Sequence, residues 1–395
     1  MAGVGFGVPL TINCGGLFVT ALEMESGWSR TAVSFGPMIA MLYAVLLPFA
    51  GARIERWGPW RSGFWGLIAL AAGQLALAIA PLQATWFVLA IIWLALAGTM
   101  TCNVVFCRAI APEFTKRTGT AIAILLTGVS LTAAAAQPIL AAVIEAFGWR
   151  WAMAALGLCS LVFGAIPVGL VMLSVRKVSR QVAPGNALPA SAAPPATPSL
   201  ASPRFWFLSA TFAAAAAAIG GFVAQIQPIM LERGFDIVTA ASIASVFLAL
   251  TALGRLCAGV LFDIAPPRFV ATAAFALSAF GAVLLMSDLV GPSSFLTVIL
   301  AVGLIGLSQG AEGDFMALFT LRLFGLLNFT VLFAYLNTVV AIGFALGGLS
   351  FAWCFDYFGT YRPAIAGAAI LLLAAAIGIS RFTVPRVTPD LERNP

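Results

Sequence analysis

The sequence predicts an all-α membrane protein in which twelve transmembrane helices form two pseudo-repeated six-helix bundles. Of its 395 residues 62% are hydrophobic and only 9% are charged, whereas a soluble domain is about half apolar and about a quarter charged. The mean hydropathy is +1.06. The apolar residues form runs of about 20, the length that crosses about 30 Å of hydrocarbon. These runs favour a helical bundle over a β-barrel, whose strands would alternate apolar and polar residues.

One polar segment, residues 174–203, divides the chain into two comparable halves. It contains six prolines among alanines and serines, and its only charges are Arg176, Lys177 and Arg180. Such a segment cannot bury enough apolar surface to offset its ordering entropy, so we expect a flexible cytoplasmic linker. The predicted domains are an N-terminal six-helix bundle at 1–173, the linker at 174–203, and a C-terminal bundle with a short cytoplasmic tail at 204–395.

Charge placement predicts the orientation of the twelve spans. If both termini are cytoplasmic, sixteen of the twenty Lys and Arg residues fall on the inner side, as the positive-inside rule expects. Only Arg30, Arg150, Arg233 and Arg362 fall on the outer side. The predicted spans are 2–22, 31–51, 62–80, 84–108, 118–142, 151–173, 204–229, 238–262, 269–288, 294–320, 328–352 and 362–381.

The two halves repeat a glycine–acid pattern. Gly51 and Glu55 follow span 2, and Gly259 and Asp263 follow span 8 with the same spacing. Two repeated bundles are typical of transporters whose halves rock about a central site. Acids beside helix ends can latch one conformation, although a charge cluster that only sets orientation is the alternative. The residues predicted to govern switching are Gly51, Glu55, Arg56, Gly58, Arg61, Gly259, Asp263, Arg108 and Arg322.

The stretch from Gly51 to Arg61 resembles the loop motif of the major facilitator superfamily, G-x-L-x-D-R-x-G-x-R-R. Glu55 stands where aspartate is usual, Arg53 stands where leucine is usual, and Arg61 alone represents the closing basic pair. The resemblance covers the whole chain and implies the major facilitator fold, transport by alternating access, and no enzymatic activity.

Several further features resemble a bacterial subgroup related to monocarboxylate transporters and oxalate/formate exchangers. This resemblance implies a small organic anion as substrate. The chain departs from the subgroup at Thr251, where the monocarboxylate carriers have an aspartate, and it has no lysine in spans 1 and 11. The stretches that carry the resemblance are Gly27–Arg30, Gly148–Trp151, Gly254–Arg255, Gly310–Asp314 and Asp356–Tyr361.

Arg255 is the candidate for binding the substrate carboxylate. It lies inside span 8, and an ionisable residue within a span indicates function. Its guanidinium can hold a carboxylate through two parallel hydrogen bonds, and the resemblance implies the same role. The alternative is that Arg255 extends toward the membrane surface and pairs with Asp263.

Glu312 and Asp314, in span 10, are the candidates for proton coupling. Two residues apart on a helix, they point in nearly opposite directions and do not form one paired-carboxylate site. A carboxyl group taken out of water there would hold a proton more readily, which makes Glu312 the first candidate. The alternative is a fixed network with Arg255 or Arg322. Gly310 and Gly313 are expected to allow close helix approach.

Four amide side chains within the spans are further candidates for lining the substrate site. Amides suit the orientation of a small polar solute, and carrier sites lie near the membrane midplane. For any one of them, a hydrogen bond that holds helices together is the alternative. The four residues are Asn13, Asn337, Gln309 and Asn103; the same two interpretations apply to the other polar residues within the spans, Ser130, Gln137, Gln225 and Gln227.

The sequence therefore predicts a secondary-active carrier of a small organic anion, a monocarboxylate, coupled to protons. The alternatives are an anion exchanger without proton coupling, an efflux carrier for drugs or metabolites, and a membrane sensor that does not transport. Without histidine, P-loop or nucleophile motif, no enzymatic activity, cofactor or metal is expected. We expect a monomer in the bacterial inner membrane, with no nucleic-acid partner.

Overall fold

The structure is a computed structural model that describes residues 1–110, 118–179, 202–287 and 294–382. Side chains are described throughout these ranges except at 47–56, 104, 108, 118–123, 175–179, 259, 262–263, 325–331 and 334. Most of the predicted linker, at 180–201, therefore lies outside the described residues.

The described part of the first half contains ten helices, and some consecutive helices lie within one membrane span. Three are short, and the last span is interrupted by a π-helical turn at Ser160–Ala165. Local π-helical turns are frequent at functional sites in helical proteins. The helices are α1 (Ala2–Gly5), α2 (Val8–Ser26), α3 (Arg30–Val33), α4 (Phe35–Trp57), α5 (Pro59–Ile79), α6 (Ala84–Thr101), α7 (Asn103–Ile110), α8 (Thr118–Phe147), α9 (Trp149–Cys159) and α10 (Ile166–Ser179).

The second half contains five helices. Helix α14 holds two membrane spans, Phe295–Phe324 and Tyr335–Phe358, without a helix break between them. The sequence analysis placed a loop there; no proline interrupts the connecting residues, so the helical hydrogen bonding can continue. The helices are α11 (Pro203–Glu232), α12 (Ile237–Ile264), α13 (Pro267–Met286), α14 (Phe295–Phe358) and α15 (Arg362–Ser380).

The predicted fold class is confirmed. Among the described residues, 11 helices are long and apolar enough to cross a membrane, and a shorter apolar stretch of α4, Phe35–Leu46, corresponds to the predicted second span. The described ranges contain no β-strand. The apolar runs of the sequence were therefore sufficient to predict the order of the spans, and the predicted count of twelve is roughly consistent with the structure.

The connections at the two ends of the bundle define its two faces. The term distal end is used for the end of the bundle at which α2, α8 and α11 finish. The term terminal end is used for the opposite end, at which α11 begins and α15 finishes. At the distal end, Gly27, Gly148, Gly234 and Gly359 have positive φ angles of 69°, 89°, 87° and 70°. A residue with a side chain rarely adopts these angles, so the glycines fix the tight turns of both halves in similar places.

The two halves meet mainly along three helix pairs, α2 with α11, α4 with α14, and α8 with α12, and α3 also contacts α14. Gly16 of α2 lies against Ala224 of α11, where a Cβ atom would stand 2.6 Å from the Ala224 carbonyl oxygen. Gly348 of α14 is similarly tight against Pro37 of α4, where a Cβ atom would come within 2.5 Å of a ring carbon. Only glycine allows these close approaches, so both positions set how closely the halves pack.

Candidate functional site

The halves are joined at the distal end by Asp356, which caps a helix of the other half. One carboxylate oxygen accepts the backbone N–H of Arg30 at 2.8 Å, and the other accepts the backbone N–H of Thr31 at 2.9 Å and its hydroxyl at 2.6 Å. These N–H groups belong to the first turn of α3, where backbone N–H groups have no acceptor within the helix itself. A carboxylate there also meets the positive end of the helix dipole.

A second set of hydrogen bonds runs beside this cap. The Arg30 guanidinium donates to the Tyr361 hydroxyl at 3.0 Å, and Tyr361 donates to the Gln225 side-chain oxygen at 3.0 Å. Gln225 in turn donates to Ser34 at 3.0 Å. Burial raises the pKa of Tyr361, so its hydroxyl keeps the proton that it donates.

Arg30 is held in place from both halves. Its Nε atom donates to Glu23 of its own half at 2.8 Å, and its guanidinium lies 3.5 Å above the centre of the Phe355 ring of the second half, a close cation–π contact. We call the group that joins the halves here the distal latch. It consists of Arg30, Thr31, Ser34, Gln225, Asp356 and Tyr361.

Deeper in the interface, two glutamines join the halves. The Gln227 amide of α11 donates to Gln137 of α8, and Gln137 donates to the backbone carbonyl of Asn13 at 2.9 Å. Each glutamine precedes a proline inside its helix, Pro138 or Pro228. Because proline removes a helical hydrogen bond, these segments can bend more easily than the rest of their helices.

Each half also contains an acid clamp at the distal end. In the first half, Glu25 accepts from the Trp149 indole at 2.5 Å and from the Arg150 guanidinium at 2.8 Å. In the second half, Glu232 accepts from the Thr360 hydroxyl at 2.6 Å and from the Tyr361 backbone at 3.2 Å. The two clamps occupy the same place in each half, and they extend the internal repeat that the sequence analysis found in the inner loops.

Arg255 lies on α12 at the face toward the other half. Its charge interacts with Asp314 of α14 and with the thiol of Cys107 on α7, which belongs to the first half. Its Nε atom makes a long hydrogen bond of 3.4 Å to the carbonyl of Gly310. Within the described part of the chain it forms no ion pair within 4.0 Å, so most of its donors remain available for a ligand.

The alternative for Arg255, a pairing with Asp263, concerns a side chain outside the described residues. Among the described acids, Asp314 is the one whose charge interacts with Arg255, although the two side chains do not form a direct ion pair. Glu312 points elsewhere, as the helical spacing predicted. The structure therefore brings Arg255 and Asp314 together and separates Glu312 from them.

Glu312 is buried on α14, with 7% of its surface exposed. Its Oε1 atom has no hydrogen-bond partner among the described residues. An ionised carboxylate without a partner is costly in an apolar interior, so this environment favours the protonated acid. Glu312 thus has the surroundings expected of a group that takes up and releases a proton.

The glycines beside these residues differ in their environments. Gly310 packs directly on the backbone of Thr251 and Arg255, as the sequence analysis expected for close helix approach. Gly313 is exposed, and a Cβ atom built on it would meet nothing within 4 Å. The expectation of close packing at Gly313 was therefore wrong, because this face of α14 borders open space.

The four predicted amides lie in different environments. Gln309 accepts from Thr251 at 3.0 Å beside Arg255. Asn13 and Asn337 donate to carbonyls of their own helices, at 2.7 Å and 2.9 Å. Asn103 is exposed at the start of α7. The structure thus places Gln309 near Arg255, and a binding role for all four stays a prediction.

The predicted switching residues are only partly described. Gly58 has φ of 81° at the turn between α4 and α5, so the turn requires glycine. Arg61 is exposed and Arg322 is half-buried, and their roles stay predictions. The remaining side chains lie outside the described residues; they are Gly51, Glu55, Arg56, Arg108, Gly259 and Asp263.

Comparison with known proteins identifies the family. Residues 1–324 match the family profile described as Major Facilitator Superfamily. The chain belongs to the major facilitator superfamily. As a superfamily member it is a multi-pass membrane transporter that moves a small molecule by alternating access, and not an enzyme. The finer resemblance to carriers of monocarboxylates and oxalate stays a prediction.

The alignments with similar proteins cover nearly the whole chain. It is 27% identical over 366 residues to an uncharacterized 38 kDa protein in the 23S RNA operon of Thermoproteus tenax, covering 91% of this chain and 88% of that protein. It is similar to crystal structures of a bacterial homolog to the human lysosomal transporter Spinster, both inward-facing, at 17% identity. The unoccupied form gives a TM-score of 0.67 over 96% of this chain and 95% of that one; the occupied form gives 0.70 over 96% and 94%. At this identity the likeness shows the fold alone.

The sequence analysis missed the distal latch. It quoted Gly27–Arg30 and Asp356–Tyr361 as features of a family resemblance, but it assigned switching to the other end of the molecule. A signal was present, because Arg30 and Asp356 are opposite charges in two outer loops. That signal does not say that loops more than 300 residues apart in sequence meet across the interface.

Proposed function

We propose that this major facilitator superfamily member transports a small monocarboxylate together with a proton across the bacterial inner membrane. The observation that carries the proposal is Arg255, a guanidinium inside a membrane span, at the interface between the halves, without a direct acid partner among the described residues. A carboxylate fits its remaining donors as a bidentate ligand. Asp314 nearby would offset the charge of Arg255 when the substrate is absent.

Glu312 supplies the proton site in this proposal. Its partner-free oxygen and its burial favour the protonated acid, and opening of the surrounding helices to water would favour its release. Because Glu312 points away from Asp314, the acid whose charge acts on Arg255, the proton and the carboxylate bind at separate groups in this proposal. Coupling then requires that Arg255 and Glu312 are exposed together, first to one side of the membrane and then to the other.

The distal latch supports a state that is closed at the distal end. Hydrogen bonds from Asp356, Tyr361 and Gln225 hold the two halves together there. The positive-inside distribution of Lys and Arg supports a cytoplasmic terminal end. We therefore propose that this state is the one that is open toward the cytoplasm. In this proposal the halves at 1–173 and 204–395 move as units joined by the linker.

The test uses purified protein in liposomes that contain a pH-sensitive dye, challenged with a panel of small carboxylates. Wild type is compared with Arg255→Ala, Glu312→Gln and the control Arg268→Ala. Arg268 is a matched arginine because it packs against Phe269 at the start of α13, away from the interface. Hydrogen bonds to a charged group contribute about 1.5–3 kcal/mol, so Arg255→Ala should slow carboxylate uptake roughly 10- to 100-fold.

Acidification by one or a few acids, lost in Arg255→Ala and Glu312→Gln but kept in Arg268→Ala, supports the proposal. Exchange of labelled anions without a pH change, unaffected by Glu312→Gln, would identify an anion exchanger and remove the proton role. Export of a cationic dye with no response to any carboxylate would sink the proposal and favour an efflux carrier.

A further inference from the structure

A cavity of about 360 Å³ lies at the terminal end of the second half, away from the interface between the halves. It opens between the start of α11, the end of α15 and the end of the first span of α14. Helix α15 packs on α11, α13 and α14 of its own half, so the cavity is separate from the proposed transport site. Its lining residues are Pro203, Arg204, Phe207, Leu323, Arg381 and Phe382.

Two guanidinium groups stand at this cavity. Arg204 belongs to the first turn of α11, and Arg381 follows the last residue of α15. Both side chains are exposed, and within the described ranges neither of them makes a hydrogen bond or an ion pair. Two unpaired arginines beside one cavity create a local excess of positive charge that an anion would neutralise.

The rest of the lining is apolar and lies at the membrane boundary. Phe207 is half exposed and its ring lies 5.5 Å from that of Phe382, which packs in turn on Phe319 at 6.4 Å. Trp206, next to Phe207, is 50% exposed, as is common where helices leave the hydrocarbon. The cavity therefore offers cationic groups beside an apolar, membrane-level wall.

We propose that this cavity binds an anionic phospholipid, with Arg204 and Arg381 holding its phosphate and an acyl chain lying along Phe207 and Leu323. Arginine is suited to phosphate because its planar donors can bind two oxygens at once. Basic pockets between membrane helices commonly bind anionic headgroups. A free phosphate has the same charge chemistry but gains nothing from the apolar wall, so we favour the lipid as the source of the phosphate group.

Native mass spectrometry and thermal unfolding of the purified full chain test this site. The probes are dioleoyl phosphatidylglycerol, its zwitterionic phosphatidylcholine counterpart, and inorganic phosphate. Wild type is compared with the double variant Arg204→Ala/Arg381→Ala, with the charge-keeping double variant Arg204→Lys/Arg381→Lys, and with Arg268→Ala. Arg268 is also near the terminal end but lies on α13 over Phe269.

We expect phosphatidylglycerol to bind wild type and Arg268→Ala equally, and to raise their unfolding temperatures because a ligand of the native state stabilises it. The double alanine variant should bind it at least about tenfold more weakly, as expected for the loss of two charge-assisted contacts. The double lysine variant should fall between them. Full binding by a folded double alanine variant would overturn the proposal. So would inorganic phosphate that displaces the lipid or matches its thermal shift.

Discussion

At the distal end of the interface, the polar groups of Asp356, Tyr361 and Gln225 form hydrogen bonds with one another or with the opposite half. Farther toward the terminal end, Arg255 makes one long bond to a carbonyl and Glu312 keeps an oxygen without a partner in the described structure. The first region thus contains satisfied polar groups, and the second contains groups that are only partly satisfied. Satisfied groups stabilise one conformation, whereas partly satisfied groups retain the capacity to bind a ligand or a proton. The comparison separates the residues of the distal latch from those that we propose bind the substrate and the proton.

The largest effect is expected at Gly16, where α2 packs closely on α11 of the other half. Gly16→Val would place a side chain against the Ala224 carbonyl and the Gln227 amide, and overpacking costs about 1–3 kcal/mol even where side chains can move. The distal end should fail to close, and transport should fall by more than about tenfold. The measurement is substrate uptake into liposomes.

The control for this change is Gly367→Val in α15, where a Cβ atom meets nothing within 4 Å. It should leave uptake within about twofold, since it adds the same side chain without a clash. Equal losses in both variants would show that valine in a membrane helix is harmful by itself. Unchanged uptake in Gly16→Val would contradict the assignment of this contact to closure.

A smaller effect is expected when Asp356 is replaced by alanine. The variant loses three accepted hydrogen bonds, which after allowance for solvent exposure amount to about 1–2 kcal/mol. The population closed at the distal end should fall by about tenfold relative to the open one. Spin labels at the exposed positions Met24 and Tyr357, on a background without native cysteines, report the distance between the halves.

Asp236→Ala is the matched control for Asp356→Ala. Asp236 also caps a helix at the distal end, where it accepts from the backbone N–H of Thr239 at 2.9 Å. Unlike Asp356, it caps a helix of its own half, α12. The label distance should lengthen in Asp356→Ala and stay unchanged in Asp236→Ala. No lengthening in Asp356→Ala would mean that the distal latch does not hold the halves together.

The sequence was sufficient to predict the spans because hydropathy is a local property. It also placed Arg255 and Glu312 within the membrane, since a charge in an apolar run is visible without a structure. It could not find the cap that Asp356 gives to α3, because the partners are 325 and 326 residues apart. It could not separate Gly310 from Gly313 either, since only packing shows which face of α14 meets α12.

The smallest effect is expected at the acid clamps, which lie beside the distal latch but within single halves. Glu25→Gln weakens an ion pair whose side chains are 43% and 36% exposed, and such surface pairs contribute about 0.2–1 kcal/mol. The hydrogen bonds from Arg150 and Trp149 lower the pKa of Glu25. Because the pair is exposed to solvent, we expect a thermal unfolding shift of a few degrees at most. This shift should shrink when salt rises from about 0.05 to about 0.5 M.

Glu232→Gln tests whether the second clamp behaves in the same way. Glu232 accepts from the Thr360 hydroxyl and a backbone N–H rather than from a cation, so its shift should be less sensitive to salt. Neither variant should change the distance between labels at Met24 and Tyr357, because each clamp ties together helices of one half. A longer distance in Glu232→Gln would show that this clamp also positions Tyr361 for the distal latch. Glu232 would then contribute to joining the two halves as well as to holding one half together.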